Sequence, residues 1–347
     1  MASSLPFSNA VDTTTEDFLV PQVVDNVLRS NQLTKDILKN SGKFSSATEL
    51  FPVKYQVGTS ATSFIGYDAL PTAQSTTRVN MIYQPRFSTV NVSLALTDII
   101  TNNTQNQVLK LAEIEMATRG QDLADAVGTM FYSTGTGNSN KDFLGLEALV
   151  DDGTNTSTIG NLSRTSYNNV FNSTVTASSG TLSLAKLSTL YMAISDDSVI
   201  PTDIYGSPTI YSLYESLLQP MQRLDTGTKV TDAGMSAEAG FVRLGYKGIG
   251  YKVDRKATSG VLYMLNMDYL KFLAVEANGS MDYKPAKYQN AEVVGNDYSK
   301  AKGLGFGWSG WIKATNAAAY NGFIILAGNF ICTAPLRQGK LTGITSS

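Results

Sequence analysis

A stretch that begins at Ser133, STGTGNSNKDFLGLEALVDDG, combines residues that could bind phosphate. Gly135 and Gly137 provide flexible backbone, and Lys141 provides a cation, as in nucleotide-binding loops. A phosphate-binding loop needs a strand before its glycines, a helix after them, and Ser or Thr beside its lysine. Here a long helical pattern precedes the glycines and aspartate follows the lysine. We therefore predict that the glycines form a turn after a helix, and that Lys141 is solvated or lies at a subunit boundary.

Two acidic pairs, Asp151-Asp152 and Asp196-Asp197, could serve glycoside hydrolysis or bind Mg²⁺. Adjacent carboxylates are common in solvated loops, and both pairs lie next to turn residues. We predict loop positions for both pairs. A carbohydrate-active protein, such as a tail adhesin, stays open as an alternative.

The composition excludes several kinds of catalytic and metal site. Histidine is absent, which removes Ser-His-Asp and Cys-His catalysis and imidazole metal ligands. The single cysteine, Cys332, excludes disulfide frameworks and cysteine-based zinc sites. Its apolar context, NFICTAP, predicts a buried side chain. We predict no cofactor and no metal.

The charge content indicates burial against other subunits. Lys and Arg number 27 and Asp and Glu number 29, so the net charge of -2 implies no electrostatic steering toward nucleic acid. Charged residues make up 16% of the chain, below the roughly 25% of ordinary soluble proteins. A chain with so few charges and 42% hydrophobic residues is expected to bury part of its surface in an assembly.

Membrane insertion and secretion are not expected. The start of the chain, MASSLPFSNAVDTTTED, lacks the basic and apolar regions of a signal peptide, which favours synthesis in a cytoplasm. The stretch 314–336 has no charge but is interrupted by Asn, Gly and Pro. We predict two short buried strands there, NGFIILAG and NFICTA.

The elements that position these residues can be read from the hydrophobic pattern. Amphipathic helices are predicted in an N-terminal arm, with Pro21 near the start of the first. Their apolar residues are Val23, Val24, Val27, Leu28, Leu33, Ile37 and Leu38. Residues 51–97 alternate as strands at both ends around a middle rich in small and polar residues, which predicts a long two-stranded excursion. The low charge of its tip suggests that another copy of the chain supports it.

A helix of about 28 residues, about 42 Å long at 1.5 Å per residue, is predicted after the excursion. Its apolar stripe consists of Val108, Ala112, Met116, Leu123, Val127 and Phe131. The region 160–285 then mixes helices and strands in an α+β unit. We predict helices in SLAKLSTLYMAISDD and YESLLQPM, and strands in SPTIYSL, GFVRLGYKGIGYKVDRKA and GVLYMLNMDYLKFLAV.

Taken in order, these segments resemble the major capsid proteins of tailed double-stranded DNA bacteriophages, which have the Hong-Kong-97-type fold. The segments that carry the resemblance are the N-arm, FIGYDALPTAQ, FSTVNVSLALTDIITNN, the long helix, FLGLEALVDDG with GNLSRTSYNN, SPTIYSLYESLLQPMQR, GIGYKVDRKATSGVLYMLNMDYLKF and GNFICTAPLRQGKLTGI. The resemblance covers nearly the whole chain.

The resemblance implies an α+β fold with an N-arm, an extended β-hairpin E-loop, a peripheral domain with a spine helix, and an axial domain whose central sheet is flanked by helices. The implied divisions are 1–50 for the N-arm, 51–97 for the E-loop, 98–160 and 286–347 for the peripheral domain with its spine helix at 101–134, and 161–285 for the axial domain.

The resemblance also implies a function and partners. The chain would assemble as pentamers and hexamers of an icosahedral phage head, built in the host bacterial cytoplasm, which encloses DNA by non-specific contact. A portal, a separate scaffolding protein and decoration proteins would be further partners. An encapsulin-like compartment is the alternative with the same architecture.

Two features depart from the family pattern. Some members cross-link through an E-loop lysine, but this chain has no Lys between Tyr55 and Leu109, so we predict a non-covalent shell. The strand pattern begins near Phe51, which leaves no room for the family's long N-terminal scaffolding segment. The residues predicted to contact other subunits are Phe64, Ile65, Tyr67, Leu70, Arg78, Arg86, Arg223 and Asp225.

Overall fold

The computed structural model describes residues 31–58, 62–70, 76–101, 105–196, 199–218, 244–275, 284–285 and 306–345. Contacts within the chain divide it into two units. The first unit contains the described residues up to Asn172 together with those in Asp268–Pro335. The second contains those in Ser173–Met267 and those from Leu336 onward.

Helices and strands alternate along the chain, as expected of an α+β protein. The helices are α1 (Gln32–Lys39), α2 (Leu96–Thr101), α3 (Gln105–Met130), α4 (Leu146–Leu149), α5 (Asn168–Phe171), α6 (Leu184–Ile194) and α7 (Pro208–Leu218). The strands are β1 (Ser41–Lys43), β2 (Glu49–Lys54), β3 (Arg78–Tyr83), β4 (Arg86–Ala95), β5 (Thr158–Ile159), β6 (Leu162–Ser163), β7 (Thr174–Gly180), β8 (Asp203–Gly206), β9 (Gly245–Tyr246), β10 (Ile249–Val253), β11 (Leu262–Leu265), β12 (Leu270–Ala274), β13 (Lys284–Pro285), β14 (Phe306–Trp308), β15 (Ile312–Lys313), β16 (Ala319–Cys332) and β17 (Gly339–Ile344).

The main sheet of the first unit is built around β16. Its described strands follow the order β1-β12-β16-β14-β13, and β4 and β15 also pair with β16. β4 lies antiparallel to β16 along its whole length, so it belongs to this sheet, although the sequence-based division includes it in the excursion.

The prediction of two short strands at the end of this unit is wrong, because β16 is one strand of 14 residues. Gly328 and Asn329 do not interrupt it. A Cβ at Gly328 would lie 2.5 Å from the Phe272 ring and 2.5 Å from the Leu273 carbonyl oxygen, so glycine is required for the close approach of β12. The Asn329 side chain donates to the Gln84 carbonyl oxygen at 2.8 Å and accepts from the Leu144 N–H at 3.1 Å.

The long helix is confirmed as α3, which has 26 residues. The described residues of the predicted apolar stripe, which are Ala112, Met116, Leu123, Val127 and Phe131, are all buried. Phe131 packs with rings from three other segments, with centroids at 5.9 Å from Phe272, 5.5 Å from Phe330 and 6.3 Å from Phe143. These four phenylalanines join the end of α3, the strands β12 and β16, and the segment after the glycines in one core.

The N-terminal arm is described only from residue 31 onward. There, α1 packs on α3 and β12 and buries Leu33, Ile37 and Leu38, as predicted. The predicted apolar positions at residues 23–28 lie outside the described residues.

The second unit has its own sheet and core. Its described strands follow the order β7-β17-β11-β8-β10-β9. The prediction of a strand in SPTIYSL is wrong, because these residues begin α7. Ile210 and Tyr214, four residues apart, are both buried on one face of that helix, and Pro208 occupies its first position.

The last strand belongs to the second unit, whereas the sequence-based division places 286–347 wholly in the peripheral domain. β17 pairs parallel with β7 and antiparallel with β11. These pairings join residues far apart in the chain, so the local pattern contains no signal for them. In the part of the chain that the structure describes, no helix is both long and apolar enough to span a bilayer.

Candidate assembly surface

The segment after α3 does not have the geometry of a phosphate cradle. Gly135 has a φ of 72°, a left-handed conformation that glycine adopts readily, and residues 138–140 continue with φ between 48° and 65°. The N–H of residue 140 donates to the Thr136 carbonyl oxygen, and those of the next two residues donate to the Gly137 carbonyl oxygen. Because these donors are used within the turn, they are not available to an anion. The prediction of a turn is confirmed, and Lys141 is exposed.

Arg86, a predicted contact with other subunits, has partners within its own chain. Its guanidinium donates to the Gly135 carbonyl oxygen at 2.7 Å and to the Asp142 carbonyl oxygen. Partial burial lowers the pKa of Arg86, and the nearby Asp142 carboxylate partly offsets that effect. Arg86 therefore holds the two ends of the glycine-rich turn together.

Gly145 lies where the returning chain crosses the end of α3, and we expect Gly145→Ala to destabilise the protein. A Cβ there would lie 2.3 Å from the Ser133 carbonyl oxygen and 2.4 Å from the Met130 carbonyl oxygen. Because both are backbone atoms, the two segments would have to separate, at a cost of about 1–3 kcal/mol. Chemical denaturation of the unassembled chain measures this change.

Gly250→Ala is the matched control for Gly145→Ala. Gly250 lies in β10, and a Cβ there meets no atom within 4 Å. Its substitution should change the free energy of unfolding by less than about 0.5 kcal/mol. Equal destabilisation by both variants would show that the close backbone approach at Gly145 is unimportant.

The acidic pairs have structural partners. The buried Asp151 carboxylate accepts from the N–H groups of Gly153, Asn155 and Thr156 at 2.9–3.0 Å, so it organises a turn. Asp196 pairs with Arg337 at 3.0 Å. The loop positions are confirmed for these two, but Asp151 is buried rather than solvated. Asp197 lies outside the described residues.

The described residues contain no group of three or more side chains suited to a metal ion. Cys332 is buried, as predicted, and burial raises the pKa of its thiol to about 12, so the thiolate form is suppressed at neutral pH. The chemically interesting residues of the sequence thus lie in structural positions.

The excursion forms a two-stranded antiparallel ribbon of β2 and β3. Glu49 lies opposite Tyr83, and Lys54 lies opposite Arg78. Burial alternates along both strands, so one face of the ribbon packs against the protein and the other faces solvent. At the root, the Tyr83 hydroxyl donates to the Cys332 carbonyl oxygen at 2.8 Å. The base of the ribbon is therefore supported by its own chain.

The described part of the ribbon's tip, residues 62–70, contains a tight turn. The Ile65 N–H donates to the Asp68 carboxylate at 2.9 Å, and the Asp68 N–H donates to the Ile65 carbonyl oxygen at 3.3 Å. Gly66 has a φ of 60°. The turn therefore uses the one charged side chain of residues 62–70 for its own geometry.

The turn displays apolar side chains to solvent. Ile65 is 83% exposed and Tyr67 is fully exposed, while Phe64 and Leu70 are 63% and 59% exposed. Clustered exposed apolar residues are unusual on monomer surfaces and are typical of contact sites. The tip thus contains four of the predicted contact residues.

The other predicted contact residues are dispersed. Arg78 is exposed at the outer end of β3, opposite Lys54, and Arg223 and Asp225 lie outside the described residues. Leu50 and Val57 lie outside the predicted set and are also exposed, at 54% and 78%. Burial alternates along ELFPVK, and this alternation places Leu50 on the outer face of β2. A period of two in the sequence is the signal from which the exposure of Leu50 could have been predicted.

No family model matches the sequence, and no curated protein is significantly similar to it. Solved structures do match. A chain of the cyanophage A-1(L) capsid asymmetric unit matches with a TM-score of 0.65 and 13% identity, over 90% of this chain and 93% of that chain. The capsid of an empty GTA particle gives a TM-score of 0.52 at 8% identity over 90% of both chains. The capsid of the native GTA particle matches with a TM-score of 0.50 and 8% identity, over 90% of this chain and 91% of that chain.

The fold is therefore that of phage capsid subunits, and the Hong-Kong-97-type architecture implied by the resemblance is confirmed. The ribbon, the long helix α3 and the second unit's sheet are the parts of this chain that correspond to the expected E-loop, spine helix and axial sheet in type and order.

Proposed function

We propose that this chain is the major capsid protein of a tailed double-stranded DNA bacteriophage. It assembles into pentamers and hexamers of an icosahedral head that encloses the genome. The observation that carries the proposal is a capsid-subunit fold with an apolar ribbon tip exposed to solvent. The protein acts through large interfaces between subunits, of about 2,000–5,000 Å², and not through a catalytic pocket.

The tip supplies the adhesive surface in this proposal. Burying the side chain of one large apolar residue contributes about 1.5–3 kcal/mol, so the tip's four apolar residues can supply much of one contact. The turn around Gly66 holds them without help from a partner, which lowers the entropy lost on assembly. Arg78, Arg86, Arg223 and Asp225 remain candidates for further contacts.

The wider set of partners follows from the same proposal. A separate scaffolding protein guides assembly in the host cytoplasm, a portal occupies one vertex, and decoration proteins are a further class of partner. The DNA is contacted without sequence specificity, which fits the net charge of -2.

Electron microscopy of the purified protein, with and without a co-expressed scaffolding protein, tests the proposal. Closed shells support it, and a protein that stays monomeric or trimeric under all conditions contradicts it. Particles that contain genomic DNA and a portal identify a phage head, whereas particles that contain an enzyme cargo identify an encapsulin-like compartment. Glycan hydrolysis or binding by a soluble monomer or trimer would favour the adhesin alternative.

Mature particles should be held together without covalent links between subunits. The stretch from Tyr55 to Leu109 has no lysine, so the part of the ribbon beyond Lys54, including the tip, lacks the amine that an isopeptide cross-link requires. Denaturing electrophoresis of mature particles should therefore show one band at 37.3 kDa. A ladder of higher masses that survives boiling and reducing agent would contradict this expectation.

A further inference from the structure

The ribbon rests on a segment of its own chain, residues 158–171, which we call the support segment. The ribbon's position matters because it carries the apolar tip. Two-stranded ribbons are only marginally stable alone in water, and their direction is set by whatever they pack on. The support segment consists of the short hairpin β5–β6, a turn and α5.

The first contact lies near the root of the ribbon, one residue from Tyr83. The Ile82 N–H points away from β2 and donates to the Gly160 carbonyl oxygen at 2.9 Å. Gly160 has a φ of 54°, and a Cβ there would lie 2.8 Å from the Met81 Cβ. Glycine thus lets the β5–β6 turn lie directly against β3.

The second contact lies farther out along the ribbon. The Tyr55 ring meets the Tyr167 ring edge to face, with centroids 5.1 Å apart. At this level, the Tyr55 N–H donates to the Thr77 carbonyl oxygen, and the Tyr55 hydroxyl donates to the Thr76 carbonyl oxygen at 3.0 Å. A movement of Tyr55 therefore moves both strands of the ribbon.

The support segment is itself fixed to the first unit. Tyr167 packs on Phe171 with ring centroids 5.8 Å apart. Arg164, fully buried, donates to the carbonyl oxygens of Phe171, Asp151 and Ala148. Tyr167 is therefore attached to a rigid part of the molecule, while Tyr55 is attached to the ribbon.

We propose that Tyr167 is a positioning residue for assembly, because its ring holds the ribbon in the direction that lets the tip reach a neighbouring subunit. Three anchors, at Tyr83, Ile82 and Tyr55, span about 20 Å of ribbon at 3.4 Å per residue. The outermost anchor has the longest lever arm and controls the direction most strongly. This inference rests on the proposed capsid function.

The test compares Tyr167→Ala, Tyr167→Phe and Tyr211→Ala. The phenylalanine variant keeps the ring contact. Tyr211→Ala is the matched control, since it removes a half-buried ring that meets Tyr251 edge to face at 5.2 Å in the second unit. We expect Tyr167→Ala to reduce the yield of uniform closed shells at least about tenfold, and the other two variants to stay within about twofold of the wild type.

A second measurement tests the anchor without assembly. In the unassembled chain, Tyr167→Ala should accelerate hydrogen exchange at the Tyr55 and Ile82 amides by about tenfold or more, with little change in the core of α3. Tyr167→Phe should restore wild-type exchange.

Several outcomes overturn the inference. They are unchanged exchange in Tyr167→Ala, a normal shell yield from that variant, failure of Tyr167→Phe to restore exchange or assembly, or an equal assembly defect in Tyr211→Ala. Absence of shells from the wild-type chain under every condition would instead contradict the capsid function, and the exchange measurement would still decide whether Tyr167 anchors the ribbon.

Discussion

Ile65→Asp should lower the yield of assembled shells by about 100-fold or more while the isolated chain stays folded. Ile65 is 83% exposed, and its side chain is not needed for the turn, which is formed by backbone groups and the Asp68 carboxylate. In an assembled contact, aspartate forfeits about 1.5–3 kcal/mol of apolar burial and adds the cost of burying a charge. A loss of about 3 kcal/mol corresponds to roughly 100-fold in each contact, and a shell repeats that contact in every subunit.

Two further variants make this experiment specific. Ile65→Leu keeps the apolar volume and should assemble normally, and Thr62→Asp adds the same charge to an exposed polar position in the same loop. Size-exclusion chromatography and electron microscopy measure assembly, and thermal unfolding measures the fold. If Ile65→Asp gives the same particle yield as the wild type, the tip does not contribute to the contact between subunits.

Arg164→Met should destabilise the chain by about 3–5 kcal/mol. The Arg164 side chain is fully buried and donates to the carbonyl oxygens of Ala148 at 2.7 Å and Asp151 at 2.6 Å. It also donates to the Phe171 carbonyl oxygen and, at 3.3 Å, to that of Leu149. Methionine fills a similar volume but leaves these buried acceptors without donors, which is the costly case for a polar group.

Arg119→Met is the matched control, because Arg119 lies on the exposed side of α3 and pairs with Asp122 at 3.1 Å and Glu115 at 3.9 Å. Exposed ion pairs contribute about 0–1 kcal/mol, so Arg119→Met should lower the free energy of unfolding by no more than that. Denaturant titrations of the unassembled variants give both values. If the two variants lose similar stability, the carbonyl acceptors around Arg164 must have found other donors.

Burial lowers the pKa of the Arg164 guanidinium, with the Asp151 carboxylate acting in the opposite direction. The four carbonyl acceptors and this carboxylate compensate the cost of burying the charge. Because Arg164 also fixes the support segment, Arg164→Met is expected to impair assembly as well as stability, whereas Tyr167→Ala should impair chiefly assembly.

Some features of the site were predictable because the signal is local. The tip residues Phe64, Ile65, Tyr67 and Leu70 are apolar in a stretch with little charge, and the structure displays them together. The composition contained no signal for the support of the inner ribbon by its own chain, which comes from the Gly160 and Tyr167 contacts, and support of the tip by another copy stays a prediction. Arg86 is an intersubunit candidate because of its place in the excursion, and its partners within the chain are carbonyl oxygens of the turn after α3.

The sequence by itself determined features that depend on neighbouring residues or on composition. The helical spacing of apolar residues predicted α3, the lack of histidine excluded whole classes of catalysis, and the glycines after the helix indicated a chain reversal. Each of these follows from backbone geometry or side-chain chemistry within a few positions, so no knowledge of distant contacts was needed.

Only the tertiary structure decided the features that join distant positions. β16 continues through Gly328 because that residue pairs with β12 and with β4, and only glycine leaves room for the Phe272 ring. β17 joins the second unit because its strand partners are there. Arg164 is buried because carbonyl oxygens from two segments, residues 148–151 and Phe171, converge on it. In all three cases the deciding partner lies outside the local stretch of sequence. Local conformational preferences alone therefore do not determine where these residues lie in the fold.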